Sequence, residues 1–170
     1  MTRPSLSMVA APNPRVNRLL AALPDVDFER WLPQLERVMM PLGQVLYEHG
    51  RPPSHAYFPT TSLVALLYVM ENGATSEIAV VGNEGMVGVA LFMGGGATPS
   101  RAVVQSAGEG FRLPARVMTT EFNQSPNVAK LMLRFTQALI AQMSQTAACN
   151  RHHNLRQQLC RWLLLSLDRL

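Results

Sequence analysis

Residues 63–81 read LVALLYVMENGATSEIAVV: two runs of apolar and β-branched residues, Leu63 to Met70 and Thr75 to Val81, on either side of Asn72-Gly73. Asn and Gly both tolerate the positive φ that a tight hairpin turn demands, so the stretch is expected to fold as a β-hairpin. Working outward, the same alternation of short runs and turn residues extends from Glu36 to Leu113. Its breaks fall at Pro41-Leu42-Gly43, Gly50-Arg51-Pro52-Pro53, Gly82-Asn83-Glu84-Gly85 and Gly94-Gly95-Gly96. Further strands are expected at 37–40, 44–47, 55–58, 101–106 and 110–113. Short strands at this spacing make an all-β roll.

Helical patterns flank the roll. Asn13-Pro14 reads as a cap followed by proline at the first helical position, and Val16, Leu19, Leu20 and Leu23 predict a short helix to about Ala22. Asp25 is expected to cap a second helix that Pro33 stops. After the roll, Pro114 opens a helix of two turns, and Ser125-Pro126 opens one with no break until about Asn154. On this long helix Val128, Met132, Phe135, Leu139, Met143 and Thr146 alternate four and three apart, close to a coiled-coil seam, and are expected to face a second subunit. Leu131, Ala138 and Ala141 form a second stripe, so two partners are expected, the roll and the same helix of a second subunit; the alternative is a single core helix buried on most sides. Asn154 is expected to act as a hinge and to cap a last helix, on which Leu155, Leu159, Trp162, Leu163 and Ser166 share a face. The run Trp162 to Leu165 calls for more chain to pack there.

A chain of 170 residues with 48% apolar content can bury one core. Only 15% of its residues are charged, which favours a homodimer that hides apolar surface. The net charge of +4 is unevenly spread: no Asp or Glu lies between Glu121 and Asp168, where Lys130, Arg134, Arg151, Arg156 and Arg161 stand. Such a basic stretch either attracts a polyanion such as DNA or is a solvated helix face. Cys149 and Cys160, in a helical stretch, suit neither a disulfide framework nor a zinc site, so reduced thiols and a cytoplasmic location are expected. The N-terminal tail has three prolines and no signal-like apolar run, and is expected to be disordered. Lys130 and Arg134 interrupt the most apolar helix, so no membrane partner is expected.

Two motifs carry a resemblance. Pro41-Leu42-Gly43-Gln44-Val45-Leu46-Tyr47-Glu48-His49-Gly50 and the glycine-bracketed cassette Gly85-Met86-Val87-Gly88-Val89-Ala90-Leu91-Phe92, followed by the long helix, resemble the Crp/Fnr family of bacterial regulators from Leu19 to Leu170. The resemblance implies an α+β fold: a double-stranded β-helix (jelly roll, cyclic-nucleotide-binding-like) with flanking helices and a long C-terminal dimerisation helix. It divides the chain into a disordered tail (1–13), a sensor roll (14–124), a dimerisation helix (125–153) and the first helix of a truncated winged helix-turn-helix domain (154–170). Members that bind cyclic nucleotides read G-E-L after the second glycine and R-S or R-T after a short loop. Here Val89 follows Gly88, and the later pair is reversed to Ser100-Arg101. Valine cannot accept ribose hydroxyls, and moving an arginine one place along a strand turns it to the other face. Cyclic AMP is therefore not the expected effector.

The candidate effector-binding residues are Gly85, Gly88, Val89, Ser100 and Arg101, with backbone N–H groups and the Arg101 guanidinium as donors to some other anion. The alternative is that the glycines only make turns and Arg101 pairs with Glu77, Glu84 or Glu109. No cofactor or metal is expected. An N-terminal iron–sulfur cluster is excluded because no cysteine precedes Cys149, and haem would rest on a lone His49 or His55. His152 and His153, adjacent on a helix, point about 100° apart and cannot clasp one metal. Among rival functions, a cupin-type enzyme needs His-x-His and a nearby Glu, which are missing, and no nucleophile elbow is present. A stand-alone ligand-binding module is the other alternative. The sequence thus reads as the sensing and dimerising portion of a DNA-binding transcription regulator, not an enzyme. Its expected partners are a second copy, DNA through the missing domain and an unidentified small-molecule effector.

Overall fold

The computed structural model describes residues 13–94 and 96–169, so the tail expected to be disordered lies outside the described residues except for Asn13. Two short helices, α1 (Arg18–Ala21) and α2 (Asp25–Trp31), lead into seven strands: β1 (Glu36–Met40), β2 (Val45–Tyr47), β3 (His55–Pro59), β4 (Leu63–Val69), β5 (Thr75–Val81), β6 (Ser100–Ser106) and β7 (Gly108–Pro114). Helices α3 (Ala115–Gln124), α4 (Pro126–His152) and α5 (Leu155–Leu167) complete the chain. The strands form two antiparallel sheets in the orders β1-β7-β3 and β2-β6-β4-β5. The expected jelly roll with flanking helices is the observed fold.

Each sheet buries what its alternation dictates. Met40, Tyr57, Val64, Leu66, Ala79, Val81, Ala102 and Val104 meet between the sheets and fill the roll. The opposite face of the three-stranded sheet carries Ala56, Phe58, Phe111 and Leu113, which pack on Leu20, Trp31, Met118, Val128 and Met132 of the helices. That second core seats the helices on the roll.

Where the helices begin and end follows from their caps. The expected first helix is broken at Asn17, whose side-chain oxygen accepts the N–H groups of Leu19 and Leu20 at 3.1 Å each. The same buried side chain donates to the carbonyls of Pro59 and Gly85 at 2.8 Å each, tying α1 to β3 and to the cassette. Ser125 caps α4, and Asn154 forms a capping box with Gln157 at the start of α5. His153 and Asn154 are both extended, so the two helices are joined by a two-residue break.

The seam expected of Val128, Met132, Phe135, Leu139, Met143 and Thr146 lies along the side of α4 that meets the roll. Val128, Met132 and Leu139 are buried inside the chain, and Phe135 and Met143 pack half-buried against the two cores. Thr146 is half-buried, and its hydroxyl accepts from Arg161 of α5. Long side chains at that spacing fill the gap between helix and sheet, so the stripe packs chiefly on the chain's own roll.

Candidate sensor cassette

The cassette leaves β5 through the turn 82–85 and runs beside β3. Val87 and Tyr57 exchange both backbone hydrogen bonds, at 2.8 and 3.0 Å. Gly88 then adopts φ +111°, which only glycine takes without strain, and a turn of 3-10 helix covers Val89–Leu91. Gly85 is required for a different reason, since a Cβ there would run into the Phe135 ring of α4. The cassette is therefore clamped between the roll and the long helix.

Of the five residues proposed as an effector site, Gly85, Gly88 and Val89 lie on the cassette and Ser100 and Arg101 open β6. Val89 packs against both apolar cores, together with Phe135. Ser100 is buried, and its hydroxyl pairs with that of Thr98 at 2.8 Å and with the Tyr47 phenol, whose pKa burial raises and Ser100 partly restores. Burial alternates along β6, so Arg101 lies on the outward face, half-exposed, 3.4 Å from Glu48. The expected turn of Arg101 to the far face is what the register shows. Its partner is Glu48, because Glu77 accepts from Gln105, Glu84 from Arg169 and Glu109 from Arg37.

A cluster that sequence reasoning missed lies at the mouth of the roll. Arg112 on β7 faces Tyr57 across the ladder and is held bidentately by Glu36 at 2.8 and 2.9 Å. His55 stands beside Tyr57, and burial, reinforced by the Arg112 charge, lowers its pKa. Burial likewise raises that of Tyr57. Tyr57 and Arg112 help line an opening of about 370 Å³ bordered by Val38, Gln44 and Leu46. The available signal was alternation: Tyr57 and Arg112 occupy inward positions on adjacent strands.

The second surface of interest is the outer stripe of α4. Leu133, Gln137, Ile140, Ser144 and Ala147 are exposed at four-three spacing, and no charged residue occurs from 135 to 150. Leu133 and Ile140 each keep 53% of their surface open. Among the described residues no group of acidic, cysteine or histidine side chains could hold a metal, and no helix is long and apolar enough to cross a membrane.

Comparison with known proteins agrees with this geometry. Residues 37–125, slightly more than half of the chain, match the family described as cyclic nucleotide-binding domain. Among curated proteins nothing matches. A Crp/Fnr-family transcriptional regulator from Eubacterium rectale is similar in structure, with TM-score 0.76 and 10% identity over 91% of this chain and 72% of its own. The c-di-GMP responsive global regulator CLP of Xanthomonas campestris gives TM-score 0.66 and 14% identity over 82% of this chain and 70% of its own. The sensor domain of the transcriptional regulator DNR from Pseudomonas aeruginosa gives 0.56 and 17% over 81% and 89%.

Proposed function

Because the chain belongs to the cyclic nucleotide-binding domain family, we propose that it is the sensing and dimerising part of a Crp/Fnr-type transcription regulator, acting in the cytoplasm, without catalytic activity and without response to cyclic AMP. The outer stripe of α4 carries the reading. A helix seated on the roll along one face presents, along the other, apolar and small residues at coiled-coil spacing with no charge among them. A second copy of the same helix complements such a stripe. The interface is thereby moved around the helix to Leu133, Gln137, Ile140, Ser144 and Ala147. DNA contact is assigned to a segment following α5, with a recognition helix in the major groove. Exposed Arg151 and Arg156 near the break favour a polyanion on that side.

Insensitivity to cyclic AMP rests on the cassette. Val89 offers no carboxylate to a ribose, and Arg101 is turned away from the interior. The Xanthomonas regulator is described as responsive to c-di-GMP, which supports an effector here other than cyclic AMP. The test is native mass spectrometry of the purified protein, followed by thermal melting with cyclic AMP or c-di-GMP. A ligand at a hundred times its Kd would stabilise the fold by about 2.7 kcal/mol, several degrees in Tm. A dimer that cyclic AMP leaves unshifted supports the reading. A shift with cyclic AMP overturns the cassette argument, and a monomer favours a stand-alone ligand-binding module.

A further inference from the structure

The turn Gly82-Asn83-Glu84-Gly85 is where the roll, α1 and the end of α5 meet. One oxygen of the Glu84 carboxylate accepts the Gly82 N–H at 3.0 Å, and the other accepts Nε of Arg169 at 2.5 Å. The Asn83 N–H is directed at the Arg169 carbonyl at 3.4 Å, and the Asn83 carbonyl accepts the Arg18 N–H at 2.7 Å. A Cβ on Gly82 would stand 2.6 Å from the Arg169 carbonyl oxygen, so the end of α5 lies directly on this turn. The Arg169 side chain is only 11% exposed, and shielding of that degree gives an ion pair an effect that open surface pairs lack.

Little else holds α5. Leu155, Leu159, Leu163, Leu164 and Leu167 are all exposed, and Trp162 is half-buried. Its other polar contacts to the rest of the chain are Arg161 to the Thr146 hydroxyl at 3.0 Å, the Gln158 amide to the carbonyls of His153 at 2.9 Å and Asn150 at 3.4 Å, and the approach of Trp162 and Arg161 to Glu77 of β5. The extended pair His153-Asn154 separates α5 from α4, and a swing of α5 there need break only the Gln158 bonds to the His153 and Asn150 carbonyls without unwinding α4. At its other end the turn runs straight into the cassette. Gly85 sits against Phe135, its carbonyl is fixed by Asn17, and Gly88 follows three residues later. Any rearrangement of the cassette therefore pulls on Glu84.

We propose that α5 is a releasable latch: the Glu84–Arg169 pair, backed by Glu77 beside Trp162, holds α5 on the roll, and movement of the turn 82–85 with the cassette sets it free. This deepens the sensor reading of the cassette and rests on it. It means that α5 reads the state of the roll through one turn.

The latch is tested without any effector, so its failure stays separate from failure of the sensor reading. Hydrogen exchange of the α5 amides is measured in the whole chain for the wild type, E84Q, R169Q, the double variant E84Q/R169Q and the charge-reversed pair E84R/R169E. Each single variant should speed exchange of 155–169 by roughly fivefold, with the double no faster than the singles, the reversed pair slower than either, and the roll unchanged. Gly82→Ala, which displaces Arg169 while leaving both charges in place, should have the same effect. Acrylamide quenching of Trp162, against a fully buried Trp31, gives an independent reading. An α5 that exchanges without protection in the wild type, or singles whose effects simply add, overturns the latch. So does a Gly82→Ala protein with a folded roll and an unaltered α5.

Discussion

The two long faces of α4 carry apolar residues at nearly the same spacing, yet only one is covered. On the inner face Val128, Met132 and Leu139 are buried and Phe135 closes over Gly85. On the outer face Leu133 and Ile140 stand among Gln137, Ser144 and Ala147 with half their surface open. Contact with the roll separates the two. On the inner face Met, Phe and Leu reach across the gap to a pleated sheet, whereas the outer face mixes Leu133 and Ile140 with Gln137, Ser144 and Ala147 and carries no charge. Periodicity alone marks both faces as apolar; only the packing of the chain shows that the inner one is covered.

Substitutions break this comparison at either face. Met132→Ala empties a fully buried site in the helix-side core and should lower stability by about 2–5 kcal/mol, read from the urea midpoint. A loss under about 1 kcal/mol would mean that the inner face is not seated as described. Ile140→Glu should do the reverse. It places like charges opposite each other in a paired outer face, so the native mass should halve while the melting curve of the single chain stays within about 0.5 kcal/mol of the wild type. An unchanged mass would remove the outer stripe from the interface.

The same distinction governs what the sequence made legible. Asn72-Gly73 announces the β4–β5 hairpin, and Ser125 and Asn154 mark the starts of α4 and α5 because turn and cap chemistry is local. The placing of Arg101 on the face opposite Ser100 and Ala102 was legible too, since strand alternation needs no knowledge of distant residues. What was not legible depends on contacts far along the chain. Asn17 reads as a cap residue, and nothing nearby shows that it also bonds Pro59 and Gly85. Arg101 has several acidic residues within reach in sequence, and only the β2–β6 pairing brings it to Glu48. The roll-mouth cluster of Glu36, Tyr57 and Arg112 likewise exists only once β1, β7 and β3 are laid side by side.

Acid sharpens the comparison most gently, because one buried carboxylate anchors the inner face and none lies on the outer stripe. Asp27 of α2 accepts from the Ser125 hydroxyl at 2.8 Å, from Arg30 at 2.5 Å and from Asn127 at 3.4 Å, pinning the first turn of α4. Burial alone would raise its pKa, but the bonds from Ser125, Arg30 and Asn127 outweigh it and hold the carboxyl below its usual range. The native state therefore favours the ionised form. The stabilisation is complete above the unfolded value of about 3.9 and is lost as pH falls through the lower native one. Glu77, raised by burial, contributes with the opposite sign, strengthening the fold in acid. Asp27→Asn should lower stability at pH 7 by about 1–3 kcal/mol and flatten the acid limb of the stability curve. It should leave the native mass unchanged, because Asp27 secures α4 to its own roll and not to a partner. A variant that kept the wild-type acid limb would show that the anchor of the inner face lies elsewhere.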